Sequence, residues 1–154
     1  FWTISGEASV LSFAGQIIDS AKHELMLVLD DPEIETLGER LEAASDRGVH
    51  IHTLLIGTQA LECAEQSAHH PPLESEMHEL TQTLVIVVDQ KQVLIASKNT
   101  NMSAAITNNR NLVLIAHQFV WMELFTQRIN AQLGSELLER LEPEDRKLLE
   151  SLKV

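Results

Sequence analysis

The sequence has little cysteine, few aromatic residues and no long hydrophobic run. Its one cysteine, Cys63, cannot form an intrachain disulfide, and low cysteine usage fits a reducing compartment. No apolar stretch approaches the roughly 20 residues that a membrane-spanning helix needs. The N-terminus lacks the charged and then apolar pattern of a signal peptide. We therefore expect a soluble, cytoplasmic protein that does not enter a membrane.

Positive charge is also scarce, with 11 Lys and Arg against 23 Asp and Glu and a formal net charge of −12. Nucleic-acid affinity depends largely on Lys and Arg that neutralise phosphates, so this charge opposes DNA binding by the segment itself. The hydrophobic content of 44% in 154 residues suits one domain with a real core. Phe1 stands where an initiator Met is expected, which predicts a fragment of a longer protein.

The first third of the chain alternates extended and helical patterns. A short apolar run precedes Gly6, and apolar positions at helical spacing then continue to near His23. A continuous apolar run follows, and Asp31 and Pro32 mark the start of a second helix that Gly48 ends. The predicted strands are 2–5, 25–29 and 49–56. This order predicts an α/β layer with parallel strands and right-handed crossovers.

The rest of the chain is less regular. In residues 57–81 the apolar residues follow no clear helical or strand period, and this absence predicts a surface loop. Two apolar runs around a polar tetrapeptide then predict a β-hairpin, followed by an Asn-rich loop. The remaining predictions are a strand at 112–116, a helix at 119–133 that stops at Gly134, and a tail broken at Pro143. We expect residues 1–134 to form one domain and residues 135–154 a helical tail packed on it.

The hairpin resembles an active half-site of the phospholipase D-like family. That half-site reads His-x-Lys, four residues, Asp, and then a strand that ends in Gly-Ser-x-Asn. Asp89 stands at the family's Asp, and Ser97 and Asn99 stand at its Ser and Asn. The positions of the nucleophilic His and the phosphate-binding Lys hold Gln82 and Leu84. The resemblance therefore implies the fold without the catalytic pair.

The two substitutions argue against phosphodiester chemistry. A carboxamide is a poor nucleophile, and an isobutyl group brings no charge to a phosphoryl oxygen. No His-x-Lys occurs elsewhere in the sequence. We expect no enzymatic activity, and the alternative that stays open is a divergent phosphodiesterase or nuclease. A scaffold that binds another protein through the acidic tail is a third possibility.

Further short motifs resemble the effector domain of TrmB-type transcriptional regulators. They are an Ile-x-Gly before the first helix, a Gly-Val-x-Ile entry to the third strand (Gly48, Val49, Ile51), a Val-Val-Asp hairpin and the segment 107–109, Thr-Asn-Asn. The resemblance implies a phospholipase D-like αβα layer with a mixed, largely parallel sheet flanked by helices. It also implies a ligand-sensing domain whose effector is a small molecule such as a sugar. Because the active site of phospholipase D-like proteins lies between two equivalent halves, that resemblance implies a two-fold homodimer for a chain with one half. DNA would be bound only through a winged helix-turn-helix outside this sequence.

The candidate ligand-binding residues cluster on the hairpin and the Asn-rich loop. Carboxamide and hydroxyl groups both donate and accept hydrogen bonds, which suits a neutral polyol. The alternative is that these are ordinary turn and cap residues. The candidates are Gln82, Asp89, Ser97, Asn99, Asn101 and Asn109.

We expect no cofactor and no metal. Cys63, His69, His70 and His78 lie close together in the sequence and carry ordinary zinc-ligand atoms, but their spacing matches no familiar zinc module.

Overall fold

The computed structural model describes residues 1–70, 82–99 and 101–152. Within these ranges the chain forms seven strands and four helices. In chain order they are β1 (Trp2–Ser5), α1 (Glu7–Ser20), β2 (Glu24–Leu29), α2 (Asp31–Asp46), β3 (His50–Leu55), β4 (Gln66–His69), β5 (Thr83–Val88), β6 (Gln92–Ser97), β7 (Ser103–Thr107), α3 (Arg110–Arg140) and α4 (Pro143–Leu152).

The strands form one mixed sheet in the order β1-β7-β6-β5-β2-β3-β4. Only the pairs β2–β3 and β3–β4 are parallel, and the other four pairs are antiparallel. The expectation of a largely parallel sheet was therefore wrong. The short connections that follow β5 and β6 account for two of these antiparallel pairs, β5–β6 and β6–β7, since a parallel neighbour would need a crossover of a dozen or more residues.

Helices cover the sheet on both faces, which confirms the αβα layer. On β5, Leu84 and Ile86 point to the side of α1 and α2, whereas Val85 and Val87 point to the side of α3, as the strand alternation requires. The larger core lies beneath α1 and α2, with Ile18, Leu27, Leu41, Ile51 and Leu94 among its buried members.

The start of α2 is fixed by side-chain capping. Asp30, and not the predicted Asp31, is the N-cap: its carboxylate accepts from the Asp31 N–H at 2.7 Å. Glu33 completes a capping box, because its Oε1 accepts from the Asp30 N–H at 3.3 Å. Pro32 fits the first turn, where its missing N–H is no loss. The cap therefore holds Asp30 and Glu33 beside the ends of β2 and β6.

Three predictions after residue 56 were wrong in whole or in part. The run at 112–116 is not a strand but the first turns of α3, and Asn109 caps this helix by accepting from the N–H groups of Asn111 and Leu112. The expected loop at 57–81 contains strand β4, and its residues 71–81 lie outside the described part. The Asn-rich loop contains strand β7, which pairs with both β1 and β6.

The C-terminal part is helical, as expected. The regular backbone of α3 is broken at Gly134, where φ is 50° and ψ is −131°, and a new helix begins at Pro143. The division at residue 134, and the packing of the tail on the domain, stay predictions. Among the helices that the structure describes, none has the length and apolarity to cross a bilayer.

Candidate functional site

A cavity of about 790 Å³ opens at the edge of the sheet that is formed by the strand ends and not by an outer strand. We call it the edge pocket. Five strands (β1, β2, β3, β4 and β6) run towards this edge, and β5 and β7 start from it. In open α/β sheets, ligands commonly bind outside the carboxyl ends of the strands. The pocket is lined by Ser5, Gly6, Glu7 and Leu11 around the start of α1; Pro32, Glu33 and Thr36 of α2; and Gln82, Lys98, Asn99, Asn101, Met102 and Ser103 around the ends of β5, β6 and β7.

The pocket contains one buried charge network. The Lys98 ammonium lies 2.8 Å from Oε1 of Glu33 and 3.6 Å from Oδ2 of Asp30. The side chains of Lys98 and Glu33 are only 11% and 3% exposed. Lys98 is therefore held by carboxylates of the α2 cap, and its charge is balanced within the protein. Breaking a buried pair of this kind leaves an uncompensated charge, which typically costs about 3–5 kcal/mol.

Three of the predicted residues meet in the edge pocket. Gln82, Asn99 and Asn101 all line it. The backbone links two of these segments, since the Lys98 N–H donates to the Gln82 carbonyl at 2.8 Å. Ser97 ends β6 next to the pocket, where it pairs in register with Thr83 and Ser103, and it is exposed.

Asp89 lies at the opposite end of the sheet, in the turn between β5 and β6. Six-residue strands separate the two ends by roughly 20 Å at about 3.3 Å per residue. Its carboxylate accepts the backbone N–H groups of Lys22, His23 and Glu24 at 3.0, 2.7 and 2.9 Å. Burial alone would raise the pKa of Asp89, but these N–H donors, Glu24 first, bring it below its ordinary value of 3.8. Asp89 therefore ties the hairpin to the start of β2.

Asn109 also lies away from the edge pocket. It follows β7 at the end of the sheet where Asp89 lies, and its side-chain oxygen accepts from Asn111 N–H at 3.1 Å and Leu112 N–H at 3.2 Å. The structure thus separates Asp89 and Asn109 from the three pocket residues and gives both of them contacts to backbone N–H groups.

The positions of the lost catalytic pair differ in their surroundings. Gln82 is half-buried and reaches the pocket, whereas Leu84 is fully buried in the core beneath α1 and α2. Of the histidines that the structure describes, none lines the pocket. Glu7 and Glu33 against Lys98 give the lining an excess of negative charge.

Two important pocket residues, Glu33 and Lys98, were not among the candidates. Glu33 carries an ordinary capping signal in the sequence, and Lys98 fills the variable position of the Ser-x-Asn step. Their contact joins residues 65 positions apart, and no sequence pattern indicates it.

Two of the histidines considered as zinc ligands make contacts with other parts of the protein. Nε2 of His69 lies 3.1 Å from the Gln59 carbonyl, and Nε2 of His70 lies 3.4 Å from Oε2 of Glu123. Burial raises the pKa of the Cys63 thiol above its ordinary range. Within residues 1–70, 82–99 and 101–152, no three His, Cys, Asp or Glu side chains are grouped so that they could hold a metal ion, and His78 lies outside these ranges.

Comparison with known proteins gives one family. The sequence profile described as "Transcriptional regulator TrmB, EBD N-terminal subdomain" matches residues 1–127. No curated protein matches the chain.

Solved structures with the same fold include a regulator relative and two phospholipase D-like proteins. The archaeal chromatin protein TrmBL2, whose structure shows a novel mode of DNA binding, is 14% identical with a TM-score of 0.59 over 77% of this chain. The chain spans 50% of the length of TrmBL2. Nuc from Salmonella typhimurium, a phospholipase D family member, is 19% identical with a TM-score of 0.57. NucT from Helicobacter pylori is 10% identical with a TM-score of 0.59.

Both Nuc and NucT match 82% of this chain and 95% of their own chains. Identities this low show the fold alone. The fold is therefore phospholipase D-like, as the hairpin motif predicted.

Proposed function

Because this chain belongs to the TrmB family of transcriptional regulators, within the N-terminal subdomain of the effector-binding domain, we propose that its edge pocket binds a small neutral effector. The observation that carries the proposal is the pocket itself. It lies where the phospholipase D-like half-site would have its His, but it presents Gln82, Asn99 and Asn101. The pocket would bind its ligand without reacting with it.

The chemistry of the lining suggests the ligand class. Carboxamides of Gln82, Asn99 and Asn101 and hydroxyls of Ser5 and Ser103 can each donate and accept hydrogen bonds. A sugar or another polyol presents the same mixture of donors and acceptors. Leu11, Pro32 and Met102 add apolar surface against which carbon atoms of the ligand can pack.

The charges of the lining disfavour anionic ligands. Lys98 already bonds to Glu33, so a phosphate would have to displace a buried carboxylate to reach it. The exposed carboxylate of Glu7 would also repel the phosphate, and a neutral ligand avoids both the displacement and the repulsion. This is why we propose a polyol and not a nucleotide or a sugar phosphate.

Regulation would follow from a shift between arrangements of a homodimer. An effector that binds one arrangement more tightly than another repositions DNA-binding domains outside this sequence, by no more than the difference in its two affinities. The charge of −12 agrees with DNA contact through another domain. As a transcriptional regulator, the protein would act in the cytoplasm.

Isothermal titration calorimetry with a panel of mono- and disaccharides tests the proposal. We expect one sugar to bind, and Asn101→Ala to weaken its binding by about fivefold, because one net hydrogen bond is worth about 1 kcal/mol. Asn108→Ala is the matched control: Asn108 is an exposed residue of the same Asn-rich segment but lies at the other end of the sheet. If no sugar or other polyol binds, or if both variants weaken binding equally, the pocket is not the effector site.

The second candidate function is a phosphodiesterase, which the fold shared with Nuc favours. We expect no turnover of bis(p-nitrophenyl) phosphate above a buffer control, because the pocket lacks an imidazole among its described lining residues. Gln82→Ala separates a true activity from a contaminant. Turnover by the wild type that Gln82→Ala abolishes would establish the enzyme and refute the non-catalytic reading.

A further inference from the structure

Helix α3 is apolar on nearly its whole circumference between Leu112 and Phe125. One side, with Val113, Ala116, Val120 and Leu124, is buried against the sheet. The other side carries a row of exposed apolar residues that we call the α3 stripe: Leu112, Ile115, Phe119 and Met122, which are 47%, 66%, 43% and 44% exposed. A helix that is hydrophobic all round is normally buried.

The spacing of the α3 stripe matches a helix-pairing seam. Its members follow one another at intervals of three, four and three residues, which averages close to the 3.5-residue repeat of paired helices. The neighbouring sheet surface is also apolar: Ile95 of β6 points to the α3 face, like Val93, and is 42% exposed. The exposed apolar surface therefore includes residues of both α3 and β6, and it is larger than one isolated side chain.

The stripe carries no charge. Between Arg110 and Arg128 the only acidic residue is Glu123, and there is no Lys or Arg. Glu123 is half-buried beside His70, and His117 is bonded to Glu24 at 2.7 Å. An uncharged helix face stands out on a chain with a formal charge of −12. A basic partner protein would be attracted more strongly to the acidic surfaces elsewhere on this chain than to the stripe.

These observations indicate a second copy of the chain as the occupant. Two copies repel each other through their net charge, and they can approach most closely where each surface is neutral. The stripe is also symmetric along the helix. When two copies of α3 run antiparallel about a two-fold axis, Leu112 faces Met122 of the second copy, and Ile115 faces its Phe119.

We propose that the α3 stripe is the surface through which this chain forms a two-fold homodimer. The inference rests on the homodimer of the proposed function and names its contact surface. The edge pocket lies at the ends of the strands, and none of the four stripe residues lines it. Dimer assembly and effector binding therefore depend on different residues and can be lost separately.

Analytical ultracentrifugation of two oppositely charged variants tests the proposal. The variants are Ile115→Glu with Phe119→Glu, and Ile115→Lys with Phe119→Lys. We expect the wild type to be a dimer and each variant alone to dimerise at least about a hundredfold more weakly, because like charges would be buried in an apolar contact. An equimolar mixture of the two variants should dimerise again. Circular dichroism confirms that each variant is folded.

Phe125→Glu is the matched control, because Phe125 lies on the same helix outside the stripe and is 48% exposed. We expect this variant to remain a dimer. A monomeric wild type would overturn both this proposal and the homodimer, while leaving sugar binding at the pocket untouched. Variants that dimerise as well as the wild type would overturn the stripe alone. A folded mixture that stays monomeric would also overturn it.

Discussion

At the scale of single residues, we propose that the Lys98–Glu33 ion pair limits which ligands the edge pocket can accept. Lys98 is the one cation among the described lining residues, and it is bonded to Glu33 at 2.8 Å. A free lysine would attract phosphates, whereas this lysine is already neutralised. The residues that remain for a ligand are the carboxamides of Gln82, Asn99 and Asn101. The proposed preference for neutral polyols follows from this arrangement.

Asp89 gives a prediction about stability. Asp89→Ala removes three charge-assisted hydrogen bonds that hold the hairpin to the start of β2. We expect it to lower the free energy of unfolding by about 2 kcal/mol, since bonds to charged groups contribute more than neutral ones. Urea unfolding followed by circular dichroism measures the change. Sugar binding at the far edge should be unaffected.

The contribution of Asp89 should also depend on pH. Its pKa is lower in the folded protein than its ordinary value of 3.8, so the carboxylate stabilises the fold fully above that value. As pH falls through the folded pKa, the stabilisation is lost. The difference in stability between wild type and Asp89→Ala should therefore be constant near neutral pH and shrink in strong acid. A difference that stays unchanged down to pH 2 would mean that the charge of Asp89 is not responsible.

The sequence indicated some of the residues that line the candidate site. The hairpin motif predicted Gln82 and Asn99, and both line the pocket. The same motif offered Asp89, but the turn places it at the other end of the strand. Glu33 and Lys98 could not be found from sequence because their contact depends on how α2 and β6 meet in three dimensions.

At the scale of elements, local patterns failed where the tertiary surroundings decide the structure. The run Leu112 to Ala116 is apolar and short, so a buried strand and a buried helix give the same pattern. The Asn109 cap favours the helix, at a typical contribution of about 1 kcal/mol. Strands β4 and β7 have no alternating pattern, and they exist because neighbouring strands supply hydrogen-bond partners.

Local sequence patterns also failed to predict the direction of some strands. The first part of the chain has strand-helix-strand order, and its β2–β3 pair is parallel as predicted. Extending that order to the whole sheet was wrong, because β5 inserts antiparallel beside β2. A hairpin was correctly predicted, but nothing in its sequence says which strand lies on its other side. Pairing between distant strands is a property of the whole fold.

At the scale of the whole molecule, charge and fold together suggest a division of labour. The family is one of transcriptional regulators, yet this chain has a formal charge of −12. The chain spans half the length of TrmBL2, so DNA contact is proposed for a part outside this sequence. Within it, the edge pocket is proposed to bind an effector and the α3 stripe to join two copies.

The central claim is that the edge pocket binds a neutral polyol, and two-dimensional amide NMR during a sugar titration tests it most directly. Each backbone amide reports binding in its own surroundings. We predict saturable shifts at Gln82, Asn99 and Asn101, and no comparable shifts at Asp89 and Asn109 at the other end of the sheet. The claim would be contradicted if no sugar or polyol produced saturable shifts, or if the shifts centred on the Asp89 turn instead of the pocket.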